Sequence, residues 1–376
     1  RKAFDTCKIS NLLKKLEHYG FRGISLKWFS SYLNERTQYV EINGEKSSLK
    51  KITHGVPQGS VLGPILFLIY INDLSNAIEI FSSLFADDTI FVNSNKDLKV
   101  LEETTNVQLE KAKIWFQSNK LSLNVSKTKY IVFRTNRMAN LNPEFKITIG
   151  EREVERIGND CNQRSFKFVG VHLDENMSWE HHINHVINKI SSSNYALNQL
   201  KKFVPTNIRK TVYNSLVKPH IEYAIISWGN SKCEGMKRLI TKQKQAIRNV
   251  ANAKFNAHVD PLLGTLKILN VEDTLKCCTA EFVKSIFLDK LPNSFKQIFK
   301  PMNSERVVKL TVQAPKVKCL ESFPNVMFPK VWNSLDSNIR LSNSCKTVKT
   351  KIKEQSFDYY NQFSCNKNRC YVCKKN

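Results

Sequence analysis

Apolar and polar positions in the first part of the chain alternate with two different periods. Leu12 and Leu16 recur at the spacing of one helix face. Residues 39–42 alternate as a strand does, and the Asn43-Gly44 pair that follows is a hairpin turn signal. A strongly apolar run then predicts a helix over about residues 64–78. This part of the chain is therefore predicted to mix helices with short strands.

The pattern from residue 82 to residue 93 is apolar on both sides of the adjacent Asp87 and Asp88. It predicts two short strands joined at the aspartates. Helical spacing follows over about residues 98–118, and short apolar runs predict strands over residues 130–133 and 166–171. Beyond Trp179 the period is mostly helical to about residue 290, and the tail from Met302 is predicted to be irregular.

Charge changes this picture because it is strongly positive and unevenly placed. The formal net charge is +25 and the pI is near 9.6, which favours a polyanionic partner, either nucleic acid or an anionic membrane surface. Residues 1–100 are close to neutral, whereas residues 201–250 hold 11 basic and 2 acidic side chains. Residues 301–376 are also strongly basic. We expect catalytic residues in the N-terminal part of the chain and surfaces that bind nucleic-acid strands in the C-terminal part. The alternative is that the basic residues only keep helix faces soluble.

The cysteines and the apolar runs limit the environments in which the chain is expected to function. The ten cysteines lack the regular spacing of a small disulfide-rich domain, which indicates a reduced, intracellular environment. The longest apolar run, residues 61–71, is too short to span a bilayer and contains Gly63 and Pro64. The chain begins at Arg1 in the middle of a pattern, so we expect it to be a fragment.

The Asp87-Asp88 pair is the first candidate for chemistry. Adjacent carboxylates repel each other, and hard oxygen ligands arranged in this way suit Mg²⁺, which commonly bridges carboxylates to substrate phosphates. Two such ions can activate a primer hydroxyl and stabilise a leaving pyrophosphate. The alternative is an ordinary solvated turn, which is what most Asp-Asp pairs are.

A loop rich in glycine and proline is the second candidate. Residues 55–64 read GVPQGSVLGP, and this composition specifies a loop whose backbone can approach a ligand closely. Gln58 can donate and accept hydrogen bonds to bases or sugars, and Ser60 can cap the following helix. The alternative is a plain turn before a core helix.

These segments resemble the reverse transcriptases of non-LTR retrotransposons, especially those of the jockey-like lineage. Residues 55–67 are similar to the template-positioning motif of that family, and residues 85–88, FADD, to its catalytic box. Residues 123–128, LNVSKT, and 168–174, FVGVHLD, resemble two further segments in the same order. Residues 216–224, LVKPHIEYA, are similar to a thumb-region signature.

The resemblance implies roles for individual residues. It implies that Asp87 and Asp88 are catalytic ligands of Mg²⁺, or of Mn²⁺, and that the lysine of the LNVSKT segment gives a proton to the leaving pyrophosphate; this is Lys127. Substrate binding is implied for Phe4, which would crowd a ribose 2′-hydroxyl, and for Gln58, Gly59, Phe85 and Ala86. The primer grip would consist of Phe168, Gly170 and Leu173. Arg36 is expected only as a possible template contact.

The opening of the chain departs from the family pattern. The family begins this motif with Asp-x-x-Lys-Ala-Phe-Asp, and its first Asp is a metal ligand. Lys2 and Phe4 align with its second half, so that carboxylate would stand before Arg1. Asp5 resembles the non-catalytic aspartate. Residues 1–376 thus carry two of the three expected carboxylates, and the N-terminal fingers are expected to be missing as well.

The three cysteines at the end of the chain, Cys365, Cys370 and Cys373, have knuckle-like spacing among basic residues. A closed structural zinc site needs four ligands, and only three are local. We therefore expect no tight zinc binding there, and free thiols instead.

The implied fold is α+β. A right-hand polymerase palm, an antiparallel sheet with helices, is expected over residues 1–175, and a helical thumb over residues 176–260. A basic C-terminal region with a Cys-rich end would cover residues 261–376.

The implied function is RNA-templated DNA synthesis in retrotransposition, with an RNA template, a DNA primer and deoxynucleoside triphosphates as partners. The alternative is a catalytically inactive nucleic-acid-binding remnant of such an enzyme. A third reading, a basic protein bound to a membrane, finds no long amphipathic basic helix to support it.

Overall fold

A computed structural model describes residues 3–134, 145–302, 309–314 and 321–362. The chain forms two compact units, residues 1–162 and residues 163–376, and each is described by itself. The sequence places the end of the palm at residue 175, whereas the first compact unit ends 13 residues earlier, at Asn162.

The helices of the first unit surround one apolar core. Leu12 and Leu16 are fully buried and pack with Leu66 and Phe67, because two helices that each carry apolar residues at helical spacing bury those faces against each other. The helices are α1 (Ala3–Thr6), α2 (Ile9–His18), α3 (Ile24–Leu33), α4 (Leu62–Ile71) and α5 (Leu98–Ser118). Asp97 caps α5 by accepting hydrogen bonds from the first turn, and the observed helix matches its predicted bounds.

The apolar run predicted as one helix over residues 64–78 forms two elements. α4 ends at Ile71, and a 3-10 helix, Asn72–Asn76, continues the chain. The apolar run stops at the polar residue Asn72. The ammonium of Lys15 forms an ion pair with the next residue, Asp73, with 2.6 Å between Nζ and Oδ1. The end of this helix is therefore set by a tertiary contact as well as by local sequence.

The strands described in the first unit pair only two at a time. The pairs are β1 (Thr37–Gln38) with β4 (Lys50–Lys51), β2 (Glu41–Ile42) with β3 (Glu45–Lys46), β5 (Phe81–Phe85) with β6 (Asp88–Val92), β7 (Lys129–Ile131) with β10 (Glu155–Ile157), and β8 (Thr148–Ile149) with β9 (Arg152–Glu153). The pair of β7 and β10 is parallel and the others are antiparallel. Asn43 and Gly44 both have positive φ, so the predicted hairpin turn is confirmed.

The second unit is mainly helical. It begins with β11 (Phe166–Phe168) and β12 (Val171–Leu173), and its helices are α6 (Glu180–Leu200), α7 (Thr206–Leu216), α8 (Lys218–Glu222), α9 (Ile225–Trp228), α10 (Glu234–Ala251), α11 (Asp260–Leu266), α12 (Val271–Phe287), α13 (Ser294–Ile298), α14 (Pro324–Asn333), α15 (Ser337–Arg340) and α16 (Cys345–Asn361). α6 packs along α10, and fully buried Trp228 lies in the core that they share.

Two predictions for the second unit are wrong. Residues 166–171 are two strands of a hairpin and not one strand, because Val169 and Gly170 both take positive φ and turn the chain. The tail beyond Met302 is not irregular throughout, since three helices occupy much of residues 324–361. Trp332 and Ile352 are buried in a second core, so these helices are stabilised by packing that their weak periodicity did not reveal.

The prediction of a chain that mixes helices and strands is confirmed. The palm-and-thumb arrangement stays a prediction, because the described strands make two-stranded pairs. The described cysteines form no disulfide. Within the described ranges, no helix is both long and apolar enough to cross a membrane.

Candidate active site

Asp87 lies in a two-residue turn between β5 and β6. Phe85 pairs with Asp88, so the strands continue up to the turn and the turn consists of Ala86 and Asp87. Ala86 has a φ of 52°, which lies in the left-handed region that residues other than glycine seldom adopt. Asp87 and Asp88 are both exposed. The predicted hairpin is confirmed, and it presents the two carboxylates to solvent on a short, sharply turned backbone.

The hairpin is anchored through one face. Leu84 is partly buried against the core cluster that Phe67 and Val56 belong to, and Phe91 packs against two neighbouring clusters. Phe85 is the next residue of the strand, so its side chain lies on the opposite face, where it is 60% exposed. The inward-facing residues hold the hairpin against the core. The ring of Phe85, next to the carboxylates, is free to contact a ligand.

The Gly/Pro loop lies along the start of the chain. The amide of Gly55 donates to the carbonyl of Cys7 at 2.7 Å, and the amide of Val56 donates to the carbonyl of Phe4 at 2.8 Å. A Cβ on Gly55 would lie 2.7 Å from the Cα of Asp5, so only glycine allows this approach. This part of the loop packs against the chain's own backbone, and the predicted approach to a ligand stays a prediction.

Gln58 has a hydrogen-bond partner within the protein. Its Nε2 donates to Oδ1 of Asp5 at 2.6 Å, while the side chain as a whole is exposed, so contact with a base or a sugar stays a prediction. Gly59 beside it is exposed, and a Cβ there would meet nothing within 4 Å. The sequence did not indicate that Asp5 would be the hydrogen-bond partner of Gln58. No local signal could have revealed it, because 53 residues separate the two.

Arg36 also has a structural partner. Its guanidinium donates to the carbonyl of Gly55 at 2.7 Å and to that of Leu33 at 3.2 Å. In this structure it therefore fixes the start of the Gly/Pro loop. The template contact of Arg36 stays a prediction.

Phe4 is half-buried and stacks on Phe67, with ring centroids 4.5 Å apart. Cys7 lies on the same segment, and burial raises the pKa of its thiol to about 12, so it stays protonated and unreactive. The segment from Phe4 to Cys7 is thus a packed support for the Gly/Pro loop, with the ring of Phe4 at its edge.

Lys127 is exposed at the end of a 3-10 helix, Val125–Lys127. Its neighbour Lys129 is paired with Glu155 across the parallel strands. Among the described residues, no hydrogen bond or ion pair joins Lys127 to Asp87 or Asp88. Its catalytic role stays a prediction.

Metal coordination by this site would be incomplete with protein ligands alone. Within the described ranges, no three His, Cys, Asp or Glu side chains converge on a point that could hold a metal ion. Asp87 and Asp88 fit Mg²⁺ or Mn²⁺ by their oxygen chemistry, and Mg²⁺ commonly fills its remaining positions with water and phosphate oxygens. Cys365, Cys370 and Cys373 lie outside the described residues.

The predicted primer grip forms the β11–β12 hairpin of the second unit. Phe168 and Leu173 are half-buried on its two strands, and Gly170 lies in the turn. Tyr223 closes over this turn, since its hydroxyl donates to the carbonyl of Val169 and its ring would lie 3.0 Å from a Cβ on Gly170. Tyr223 belongs to the segment predicted as a thumb signature, and its contact with the hairpin is a feature that sequence reasoning missed.

Comparison with known proteins agrees with the order of these elements. Residues 1–173 match the family model described as reverse transcriptase (RNA-dependent DNA polymerase). Residues 1–173 are therefore similar to reverse transcriptases over their whole length. The match ends at the last residue of β12, so it includes both the aspartate turn and the hairpin predicted as a primer grip.

Similar proteins are found among the mobile elements of insects. The RNA-directed DNA polymerase from mobile element jockey of Drosophila melanogaster is 22% identical over 276 residues, which is 70% of this chain and 29% of the relative. The corresponding protein of Drosophila funebris is 26% identical over 278 residues, with the same coverage. A probable RNA-directed DNA polymerase from transposon X-element of Drosophila melanogaster is 23% identical, over 65% of this chain and 27% of the relative. The chain spans about three tenths of the length of these relatives, and its resemblance to jockey-like elements is confirmed.

Proposed function

We propose that the chain is part of an RNA-directed DNA polymerase of a non-LTR retrotransposon and that its first unit carries the polymerase site. The observation that carries the proposal is the aspartate turn. Two exposed carboxylates stand on a tight hairpin, and Leu84 seats that hairpin on the core that Phe4 and Phe67 also pack against. Residues held in the left-handed region are often found at functional sites, and Ala86 is held there beside both carboxylates.

The proposed reaction is attack of a primer 3′-hydroxyl on the α-phosphorus of a deoxynucleoside triphosphate. The new P–O bond extends the primer, the bond to the β-phosphate breaks, and pyrophosphate leaves. A pair of bound Mg²⁺ ions would lower the pKa of the hydroxyl and stabilise charge on the leaving group. Asp87 and Asp88 would hold these ions, and Lys127 would supply a proton to the pyrophosphate.

Substrate positioning falls to the groups around the turn. Phe85 and Ala86 would lie along the primer end or the nucleotide, and the ring of Phe4 would exclude a 2′-hydroxyl. Gly59, which is exposed and has no side chain, lets a template strand approach the backbone. Gln58 would act through Asp5, which holds its amide and so sets the shape of the loop.

The palm, thumb and primer-grip assignments belong to the same proposal. The second unit would contribute Phe168, Gly170 and Leu173 as the primer grip, with Tyr223 holding the turn of that hairpin. Its helices would form the thumb and the basic C-terminal region. Their positive charge supports contact mainly with phosphates.

The test is primer extension on an RNA template with Mg²⁺. The family pattern has one further carboxylate three residues before the position of Lys2, so the assay uses both the 376-residue chain and a longer protein in which an added N-terminal segment supplies that carboxylate. We expect extension by the longer protein and its loss, by at least about 100-fold, in Asp87→Asn. Glu103→Gln is the matched control, because Glu103 is an exposed carboxylate of the same unit on α5. Full activity of Asp87→Asn would contradict the proposal.

The second candidate function is nucleic-acid binding without polymerase chemistry. The net charge of +25 favours it, because a positive surface binds nucleic acid whether or not polymerase chemistry is present. It predicts salt-sensitive binding of RNA and DNA with no extension by either protein. Extension that depends on Asp87 excludes it.

A further inference from the structure

The second unit carries two phenylalanines that packing does not explain. Phe203 is 80% exposed and Phe255 is 90% exposed, although a phenyl ring left in water forgoes a large part of the free energy that its burial would supply. Each directly follows an exposed lysine, Lys202 and Lys254 respectively. The same pair of residue types therefore occurs twice in the connections between helices.

One buried arginine joins the first Lys-Phe turn to the last turn of α10, which precedes the second. Arg209 of α7 is only 4% exposed. Its guanidinium donates to the carbonyls of Lys201 and Val204, on either side of Phe203, and to the carbonyl of Val250 near the end of α10. One planar group thus fixes the α6–α7 turn beside the C-terminal end of α10, from which the turn that carries Phe255 begins.

The turn after α10 is also held in place. Asn252 takes a left-handed conformation that ends the helix, and the amide of Ala253 donates back to the carbonyl of Arg248. The guanidinium of Arg248 donates to the carbonyl of Ala257 at 2.8 Å. The backbone on both sides of Phe255 is therefore bonded to α10, while its ring is left in solvent.

The charge around these turns has one sign. Residues 201–221 and residues 235–259 contain no Asp or Glu, and among the described residues no carboxylate pairs with Lys202 or Lys254. Arg209 adds a buried positive charge whose partners are carbonyls and a hydroxyl. This end of the unit attracts anions and offers them two flat apolar rings.

We infer that the α6–α7 turn and the turn after α10 form a binding site for single-stranded nucleic acid, in which Phe203 and Phe255 stack on bases and Lys202 and Lys254 contact phosphates. Aromatic rings beside positive charges are the features that bind single strands without sequence preference, since every base has a flat face. In a duplex the bases are already stacked on each other, so these rings would gain nothing from it. The site does not depend on polymerase activity.

An anionic lipid surface is the alternative occupant. It would attract the same lysines, but it would accept any apolar side chain in place of a phenyl ring, because insertion into lipid depends on apolar area. Stacking requires an aromatic face. Replacement of phenylalanine by leucine therefore separates the two occupants.

The test is a fluorescence-anisotropy titration of a labelled oligothymidylate about 16 nucleotides long, without nucleotide substrates. We expect Phe203→Leu and Phe255→Leu each to weaken binding about 5-fold or more, with no change in the slope of log affinity against log salt. Lys202→Gln with Lys254→Gln should instead reduce that slope by about 1.4, which corresponds to two phosphate contacts on a single strand. Binding of a blunt duplex should not respond to either leucine variant.

Phe81→Leu is the matched control, because Phe81 is a 67% exposed phenylalanine of the first unit, and we expect it to bind as the unchanged protein does. Circular dichroism during thermal unfolding checks that the leucine variants fold. Unchanged oligothymidylate affinity in the double leucine variant would overturn the inference, and so would an equal loss of duplex binding. Binding to phosphatidylserine vesicles that survives both leucine substitutions, together with unchanged oligothymidylate affinity, would identify the lipid surface as the occupant.

Discussion

Gly55 shows how much of the candidate site depends on single residues. Its φ is +85°, and the nearest atoms to an added Cβ belong to the backbone of Phe4 and Asp5, at 2.7 to 2.9 Å. Backbone atoms cannot move aside as a flexible side chain can. Gly20 has a similar φ of +95° but open space around it, so the two positions separate backbone strain from crowding.

We predict that Gly55→Ala destabilises the first unit much more than Gly20→Ala does. Gly20→Ala should cost about 1–2 kcal/mol for the left-handed backbone alone. Gly55→Ala adds an overpacking cost, for a total of about 2–5 kcal/mol. Urea unfolding of both variants measures the difference in free energy of unfolding. Equal losses would show that the contact between the Gly/Pro loop and Asp5 is not tight.

His182 is the residue that most directly links the second unit to pH. It is 3% exposed, its ring packs against Trp228 at 5.3 Å, and its Nε2 has no hydrogen-bond partner among the described residues. Burial, together with the charges of His172 and His185, lowers its pKa to about 4. The pKa values of His172 and His185 are lowered as well, mainly by burial, and Lys167 contributes to both shifts.

We predict that the second unit loses stability between about pH 6.5 and pH 4. In this window the unfolded chain binds a proton at residue 182 and the folded chain does not, so the free energy of unfolding rises with pH. The contribution is complete above pH 6.5, and about 1–2 kcal/mol is lost by pH 5. His182→Phe keeps a ring against Trp228 and cannot be protonated, so urea unfolding at pH 7.5 and pH 5 should show a correspondingly smaller difference. An unchanged pH dependence would contradict this account.

Among the elements, the β5–β6 hairpin combines predictable strands with an unusual turn. The apolar residues on both sides of Asp87 and Asp88 predicted two strands, and the structure has them. The apolar pattern did not indicate that Ala86 would be left-handed. Alanine is not typical of such turns, whereas the Asn43-Gly44 pair is. The short β11–β12 hairpin was predicted as one strand for a similar reason, because Val169 is not a turn residue.

We predict opposite effects of two substitutions in the aspartate turn. Ala86→Gly should stabilise the first unit by up to about 1 kcal/mol, because glycine adopts this φ without strain. Ala86→Val should destabilise it by about 2 kcal/mol or more, since a branched side chain resists the left-handed region. Thermal unfolding of the two variants gives the comparison. A stabilising Ala86→Val would show that the turn is not held in this conformation.

The distribution of charge belongs to the scale of the whole molecule. Basic residues outnumber acidic ones by 58 to 33, and the excess lies mainly in residues 201–250 and 301–376. Neutralising several phosphates releases counterions, which makes affinity depend steeply on salt. The charge predicts binding to nucleic acid in general and says nothing about sequence preference.

We predict that the chain binds RNA and DNA duplexes with affinity that falls steeply between roughly 50 and 200 mM salt. The slope of log affinity against log salt should be several units in magnitude, about one for each phosphate contacted. Filter binding at a series of salt concentrations measures it. A flat response would remove the argument from charge.

The sequence by itself determined the features that depend on neighbouring residues. Helix α5 and the aspartate hairpin were predictable because helical spacing and strand alternation are local, and the order of the motifs was enough to identify the reverse transcriptase family. The tertiary structure alone decided which partner each polar group takes. Gln58 bonds to Asp5, Arg36 bonds to the carbonyl of Gly55, and Arg209 joins the α6–α7 turn to α10. Each contact links residues far apart in sequence. Such pairings depend on how packed elements approach each other, and no local period records that.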